Sequence, residues 1–175
     1  MLLDLSLTPA GSVVNQHLLA HGFAEHDRQQ IVALLREYET DIGVSLCFQN
    51  FAAELEGLPG DYAPPKGQMI FAREPSTSDL VGCVALRPVP GSPELCEMKR
   101  LYVRGAARGS GLGRRLALAA MAEARRMGYR CICLDTLPSM TAAQQLYREL
   151  GFRQTGVATS DPPALLFERA LGGEA

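Results

Sequence analysis

A strand-like run, a glycine-rich turn and an amphipathic helix follow one another in the second half of the chain, and this order constrains the fold most. The strand-like run is Leu95–Val103, and the turn RGAARGSGLG follows it directly. Leu112 and Leu116 then begin an apolar stripe at helical spacing, which continues to the next glycine. Because a further strand is predicted over Tyr129–Asp135, we expect a parallel β-α-β step within a mixed sheet that helices flank.

The rest of the chain predicts two early helices and a hairpin. Helical periodicity favours helices over His26–Thr40 and Val44–Leu55, and short apolar runs favour strands over Gln68–Arg73 and Leu80–Arg87. Residues 57–67 have loop composition. The other predicted elements are a strand over Val13–Leu19, a Pro/Gly linker over Pro88–Pro93, a helix from a Thr141–Gln144 capping box to just before Gly151, and closing strands over Phe152–Thr155 and Ala164–Arg169.

Length and charge narrow the class of protein. The 175 residues fit one α/β (α+β) domain over 1–175, with residues 1–12 as a loose extension, and the net charge of −2 gives no basic field for nucleic acid. No apolar run reaches the roughly 18 residues of a membrane span. Asp4 interrupts the apolar N-terminus, and the five cysteines show no metal-ligand spacing. We therefore expect a soluble cytoplasmic protein without metal, nucleic-acid or membrane partners.

The glycine-rich turn is a candidate anion site. Amides at a helix N-terminus attract phosphate, and nearby arginines add positive charge. A purely structural helix start remains an alternative, because a glycine-rich turn alone is a weak signal. Arg114 stands where a dinucleotide fingerprint requires glycine, and the Lys-Ser/Thr pair of a P-loop is absent, so both of those phosphate sites are excluded. The arginines concerned are Arg104, Arg108, Arg114 and Arg115.

Two separated motifs resemble one family. Arg108-x-x-Gly111-x-Gly113 is similar to the R/Q-x-x-G-x-G/A acyl-CoA signature of the GCN5-related N-acetyltransferase (GNAT) superfamily. EMKRLYV at 97–103 resembles the strand before that signature, and AAQQLYRELGF at 142–152 resembles the family's late A-x-x-L-Y-x-x-x-G-F segment. The resemblance is strongest over Glu97–Phe152.

The resemblance implies a mixed sheet with helices on both faces and two splayed parallel strands that form an acyl-CoA cleft. It implies an N-acetyltransferase domain that moves acetyl from acetyl-CoA, without metal, directly to a primary amine of a small molecule or peptide. The amine itself stays open, because fold does not fix function. A sensor or interaction module that binds acetyl-CoA with little turnover is the alternative. Homodimers are common in the family, so a second copy is a candidate partner.

The resemblance also assigns cofactor contacts. The main chain of Leu101, Tyr102 and Val103 would hold the pantetheine arm. Where many members carry an asparagine, this chain has Met140, so Ser139 or Thr141 would replace that polar contact. The pyrophosphate would bind the amides of Arg108, Gly109, Ser110, Gly111, Leu112, Gly113 and Arg114.

Two residues are catalytic candidates. Tyr147 would protonate the leaving thiolate as general acid, and its alternative role is a packed aromatic on the buried helix face. Glu97 would be the general base, and its alternative roles are a rim carboxylate or a partner of Lys99. Asp135 is a second, weaker carboxylate candidate.

Several other side chains are weaker candidates for a functional role. The early aromatic residues would either wall the acceptor pocket or pack in the core. The histidines near the N-terminus have surface or turn roles, and Cys96 faces away from Glu97, which argues against an acyl-cysteine. The aromatic residues are Tyr38, Phe48, Phe51 and Tyr62, and the histidines are His17, His21 and His26.

Overall fold

Seven strands form one mixed sheet in the computed structural model, which describes residues 17–46 and 50–172. The strands are β1 (Leu18–His21), β2 (Gln68–Arg73), β3 (Leu80–Val89), β4 (Ser92–Val103), β5 (Cys131–Thr136), β6 (Arg153–Ala158) and β7 (Ala164–Ala170). The helices are α1 (Arg28–Ile42), α2 (Phe51–Glu56), α3 (Leu112–Arg126) and α4 (Thr141–Glu149). The predicted fold class, one mixed sheet with helices, is confirmed.

The strand order is β1-β2-β3-β4-β5-β7-β6, and β4–β5 is its parallel neighbour pair. This pair is short, because only Leu95–Glu97 of β4 match Cys131–Cys133 of β5. On their outer sides β4 pairs with β3 and β5 pairs with β7 along their lengths. Beyond Glu97 and Cys133 the two inner edges therefore separate, which is the predicted splay.

The sheet separates two apolar cores. In β2, Met69 and Phe71 pack with α1 and α2, whereas the alternating Ile70 and Ala72 pack with α3 and α4. This follows from the period of two along a strand, since β2 is covered on both faces. Helices thus lie on both faces of the sheet, as expected.

The predicted start of the second helix and the predicted linker after β3 are both wrong, because local backbone conformation decides these boundaries. The second helix begins at Phe51 rather than Val44, because Asn50 adopts a left-handed conformation with φ 56° just before it. The predicted linker Pro88–Pro93 is instead a tight hairpin, with β3 running to Val89 and β4 starting at Ser92. Gly91, at φ 77°, supplies the turn conformation that allows this.

The predicted Thr141–Gln144 capping box is also wrong. Thr141 is already helical and Met140 precedes the helix without a side-chain cap. The Gln144 amide instead donates to the carbonyls of Leu137 and Pro138, at 3.1 and 3.0 Å. Gln144 therefore fixes the β5–α4 loop rather than capping the helix.

The remaining elements differ from expectation by a few residues. The first strand is Leu18–His21, and most of the predicted Val13–Leu19 lies outside the described residues, as do residues 1–12. Helices in the described part of the chain are all too short or too polar to span a membrane.

Candidate functional site

A bulge in β4 shapes the opening between β4 and β5. Cys83 of β3 pairs with Tyr102, but Ala85 pairs with Lys99, so β4 carries an extra residue between these pairs. Arg100 lies within this bulge at φ 58°, an uncommon conformation for a residue with a side chain. The bulge bends β4 away from β5, which leaves backbone polar groups along the inner edge for a ligand.

A long cleft of about 580 Å³ follows this inner edge. It connects the end of β4 with the β5–α4 loop and the start of α4. Most of the predicted cofactor contacts line it, namely Leu101, Tyr102, Val103, Arg108, Gly113, Ser139 and Thr141. Its other walls are Tyr38, Asp41, Ile42, Met140, Ala142, Ala143 and Leu146.

The glycine-rich turn lies at one end of the long cleft. Gly109 and Gly111 have φ of 78° and 77°, and α3 begins directly afterwards at Leu112. The first N–H groups of a helix lack intrahelical acceptors, so the turn offers donors to an anion. The Ser110 hydroxyl donates to the Ala107 carbonyl at 2.7 Å, and the Leu112 side chain is buried in the core. Ligand contact at these two positions would therefore be through backbone amides.

The net positive charge around the turn is lower than the sequence predicts, because Arg104, Arg108 and Arg114 pair with carboxylates. Arg104 makes two hydrogen bonds of 2.7 Å to Glu37. Arg114 approaches Glu149 at 3.0 Å. Arg115 donates to a backbone carbonyl.

Arg108 is held by α1. Its guanidinium donates to Asp41 at 2.6 Å and to the Val103 carbonyl at 2.8 Å, and lies 5.5 Å from the centre of the Tyr102 ring. Hydrogen bonds from Tyr102 and Arg108 hold the pKa of Asp41 below its ordinary value. Burial, with this hydrogen bond, raises the pKa of Tyr102 to about 12. Sequence reasoning missed Asp41 and Glu37, although their i, i+4 spacing on one helix face was a usable signal.

An inner cavity of about 40 Å³ adjoins the long cleft and shares four walls with it. The shared walls are Tyr38, Ile42, Leu101 and Met140. The other walls of the inner cavity are Val44, Leu46, Met98, Lys99, Arg100, Asp135, Thr136, Leu137, Tyr147 and Ala164. A ligand in the long cleft can therefore place its end beside Tyr147.

Tyr147 lines the inner cavity and also packs in the core. Its ring contacts Phe152 edge-to-face with 5.8 Å between centroids, and Phe167 lies at 6.2 Å. Burial raises the pKa of the Tyr147 phenol above its ordinary value, and the nearby Tyr38 and Asp135 raise it further. The phenol is thus neutral, and a hydrogen-bond donor, at neutral pH. The packing role considered from the sequence is thus present, and the proton-donor role stays a prediction.

Two carboxylates and a lysine form a cluster between β4 and β5. Lys99 donates to Asp135 at 2.7 Å and lies 3.6 Å from Glu97. Glu97 is also paired with Arg87 at 2.7 Å. Its contact with Lys99 agrees with the alternative role of a lysine partner that the sequence suggested. Asp135 lines the inner cavity, whereas Glu97 stands behind Lys99 and is absent from the cavity walls. The base assignment of Glu97 stays a prediction.

Arg100 and its partner were missed in the sequence. The guanidinium makes two hydrogen bonds to Glu54, at 2.8 and 2.6 Å, and its side chain is 2% exposed. It also lies over the rings of Phe51 and Tyr38, at 4.9 and 5.9 Å. The adjacent charges Lys99-Arg100 between apolar residues of β4 were the available signal, since buried charges are rare without a role or partner.

The aromatic, histidine and cysteine candidates lie in different parts of the structure. Tyr38 lines both cavities, but Phe51 and Tyr62 are buried in the core, and Phe48 lies outside the described residues. His17 lies 3.3 Å from Glu74. His26 approaches Asp27 at 3.5 Å, and Cys96 is buried in the core. Within residues 17–46 and 50–172, no group of three metal-ligating side chains is present.

The sequence and the fold of this chain are similar to those of known proteins. A family model described as the acetyltransferase (GNAT) family matches residues 28–152. An uncharacterized N-acetyltransferase of Schizosaccharomyces pombe is 40% identical over 129 residues, covering 74% of this chain and 78% of that protein. An uncharacterized N-acetyltransferase of Escherichia coli is 38% identical over 135 residues, covering 75% of this chain and 80% of that protein.

A solved structure of an aminoglycoside 6'-N-acetyltransferase in complex with coenzyme A has the same fold. Its TM-score is 0.67 at 18% identity, with 90% of this chain and 99% of that chain covered. Family members use acetyl-CoA. The extent of the family match and the identity to the yeast and bacterial relatives confirm what the Arg108-x-x-Gly111-x-Gly113 motif implied. The chain therefore belongs to the GNAT family of acetyltransferases and is an acyltransferase enzyme.

Proposed function

We propose that this enzyme transfers the acetyl group of acetyl-CoA directly to a primary amine of a small molecule or peptide. The observation that carries the proposal is the continuous path from the glycine-rich turn, along the open edge of β4, to Tyr147. Donor and acceptor would meet in one ternary complex at the inner cavity. We also propose a cytoplasmic location, supported by unpaired thiols at Cys83, Cys96, Cys131 and Cys133.

The reaction requires three events at this site. The acceptor ammonium loses one proton to the solvent, its nitrogen bonds to the thioester carbon and gives up a second proton, and the carbon–sulfur bond breaks to leave a thiolate that takes up one proton. Backbone amides of Leu101–Val103 would hold the pantetheine arm, and one of them would polarise the thioester carbonyl. Tyr147 would donate a hydrogen bond and then the proton to the sulfur.

The ternary mechanism is tested by initial rates with both substrates varied. Direct transfer gives intersecting reciprocal plots, whereas a covalent acetyl-enzyme gives the parallel plots of a ping-pong reaction. Release of the thiol should require the amine. Tight acetyl-CoA binding without turnover on a broad amine panel would favour the alternative of a binding module.

The base assignment has its own test. If Glu97 accepts the proton, Glu97→Gln should lower kcat/KM by about 100-fold. The companion variant is Asp135→Asn, since both carboxylates contact Lys99. A wild-type kcat/KM in Glu97→Gln, combined with a loss of about 100-fold in Asp135→Asn, would move the base to Asp135.

The glycine-rich turn also gives a prediction. Gly111→Ala should weaken acetyl-CoA binding by about tenfold, because a side chain at φ 77° costs about 1–2 kcal/mol and shifts the amides of the turn. Isothermal titration calorimetry with acetyl-CoA measures this. Gly105→Ala is the matched control: a Cβ meets no atom within 4 Å at either position, but Gly105 lacks the positive φ. Equal affinities for the two variants would contradict the assignment of the turn.

A further inference from the structure

We infer that the acceptor is a small amino carboxylate, an apolar α-amino acid in chemical class, whose carboxylate is bound by Lys99. The inference rests on the proposed function and narrows its substrate. It depends on the charges that face the inner cavity, on the hydrogen bonding of Lys99, and on the size of the cavity.

Cationic side chains outnumber anionic ones on the cavity wall. Among the described residues that line it, the charged side chains are Lys99, Arg100 and Asp135. The carboxylates that offset the two cations from behind, Glu97 and Glu54, are not part of the wall. The wall therefore presents two cationic groups to a bound ligand, each of them already paired with a carboxylate.

Lys99 has unused hydrogen-bonding capacity. Its side chain is 7% exposed, and its ammonium has three N–H donors. Asp135 accepts one of them at 2.7 Å, while the 3.6 Å separation from Glu97 exceeds hydrogen-bonding distance. No other acceptor for this ammonium is present in the described part of the chain. A carboxylate bound in the cavity would satisfy a buried donor, which is the favourable arrangement for a buried charge.

The Lys99–Asp135 contact also sets the spacing of the ligand's charges. Because the two side chains touch, the sites for a carboxylate and for an ammonium are adjacent. An α-amino acid carries its two charged groups on one carbon and can bridge such a pair, with its amine at Asp135. The cavity is small, and Leu46 and Leu137 are among its walls, which favours a compact apolar side chain.

Three acceptors that differ only in the group at the carboxylate position test the inference. They are leucine, leucinamide, which carries an amide there, and isopentylamine, which lacks the group. Their kcat/KM values are compared per free amine, since the amine pKa differs between them. We expect leucine to exceed leucinamide by about tenfold or more, because the amide lacks the charge-assisted hydrogen bond. Lys99→Gln should bring the leucine-to-leucinamide ratio close to one.

The matched control is Lys66→Gln, which removes an exposed positive charge elsewhere and should keep the preference for leucine. Acetyl-CoA affinity and thermal melting of each variant report whether it folds. The leucine-to-leucinamide ratio of kcat/KM in the wild type tests the inference without any variant. Leucinamide or isopentylamine acetylated as efficiently as leucine would overturn the inference while leaving the proposed function intact. Absence of turnover on all amines, despite acetyl-CoA binding, would overturn both.

Discussion

Tyr147→Phe is expected to lower kcat by about 100-fold across the pH range while leaving acetyl-CoA affinity close to wild type. The phenol lies on the inner cavity wall, and burial keeps its pKa above the ordinary value. A raised pKa makes the group a weaker acid, but it also keeps the proton in place at the pH where amines are nucleophilic. Its main contribution is then a hydrogen bond that strengthens as negative charge develops on the sulfur.

The control for this variant is Tyr129→Phe. Tyr129 is also buried, and its hydroxyl donates to the Lys66 carbonyl at 2.6 Å, away from the cleft. This change should alter stability without changing kcat. Wild-type kcat in Tyr147→Phe at all pH values would show that Tyr147 is only a packed aromatic.

Glu54→Leu is expected to lower the free energy of unfolding by about 3–5 kcal/mol, because it leaves the Arg100 guanidinium buried without its carboxylate. The same change should lower Tm by about 10 °C. Thermal and urea unfolding measure both quantities. Since Arg100 lies at the bulge in β4, the inner cavity should also lose its shape and activity should fall with stability.

Glu25→Gln is the matched control for an ion pair at the surface. Glu25 and Arg28 lie 2.6 Å apart, but the Glu25 side chain is 74% exposed. Exposed pairs contribute about 0–1 kcal/mol, so Tm should change little. Similar melting of Glu54→Leu and Glu25→Gln would contradict a structural role for the buried pair.

The sequence predicted the sheet better than its connections. A short apolar run located β2 to the residue, and the glycine turn with its flanking elements predicted the parallel step. The second helix and the Pro88–Pro93 turn were misjudged because backbone conformation decided them. The left-handed Asn50 delays the helix, and Gly91 permits a hairpin where composition resembled a linker.

The cleft was predictable where the family resemblance assigns residues to it. Leu101, Arg108 and Gly113 line the long cleft, as the family resemblance implied. The pairing of Lys99 with Asp135 joins residues 36 positions apart, and the pairing of Arg100 with Glu54 joins residues 46 positions apart. No local pattern reports such contacts, because they arise from the splay and the bulge in β4.

The central claim is that acetyl-CoA binds along the open edge of β4 and on the glycine-rich turn. Amide hydrogen exchange, followed by mass spectrometry with and without acetyl-CoA, tests it most directly. We predict slower exchange in peptides that cover 101–103 and 109–114, and little change around the β3–β4 turn at Pro90 and Gly91. Unchanged exchange at 101–103 and 109–114, with protection elsewhere under saturating acetyl-CoA, would contradict it.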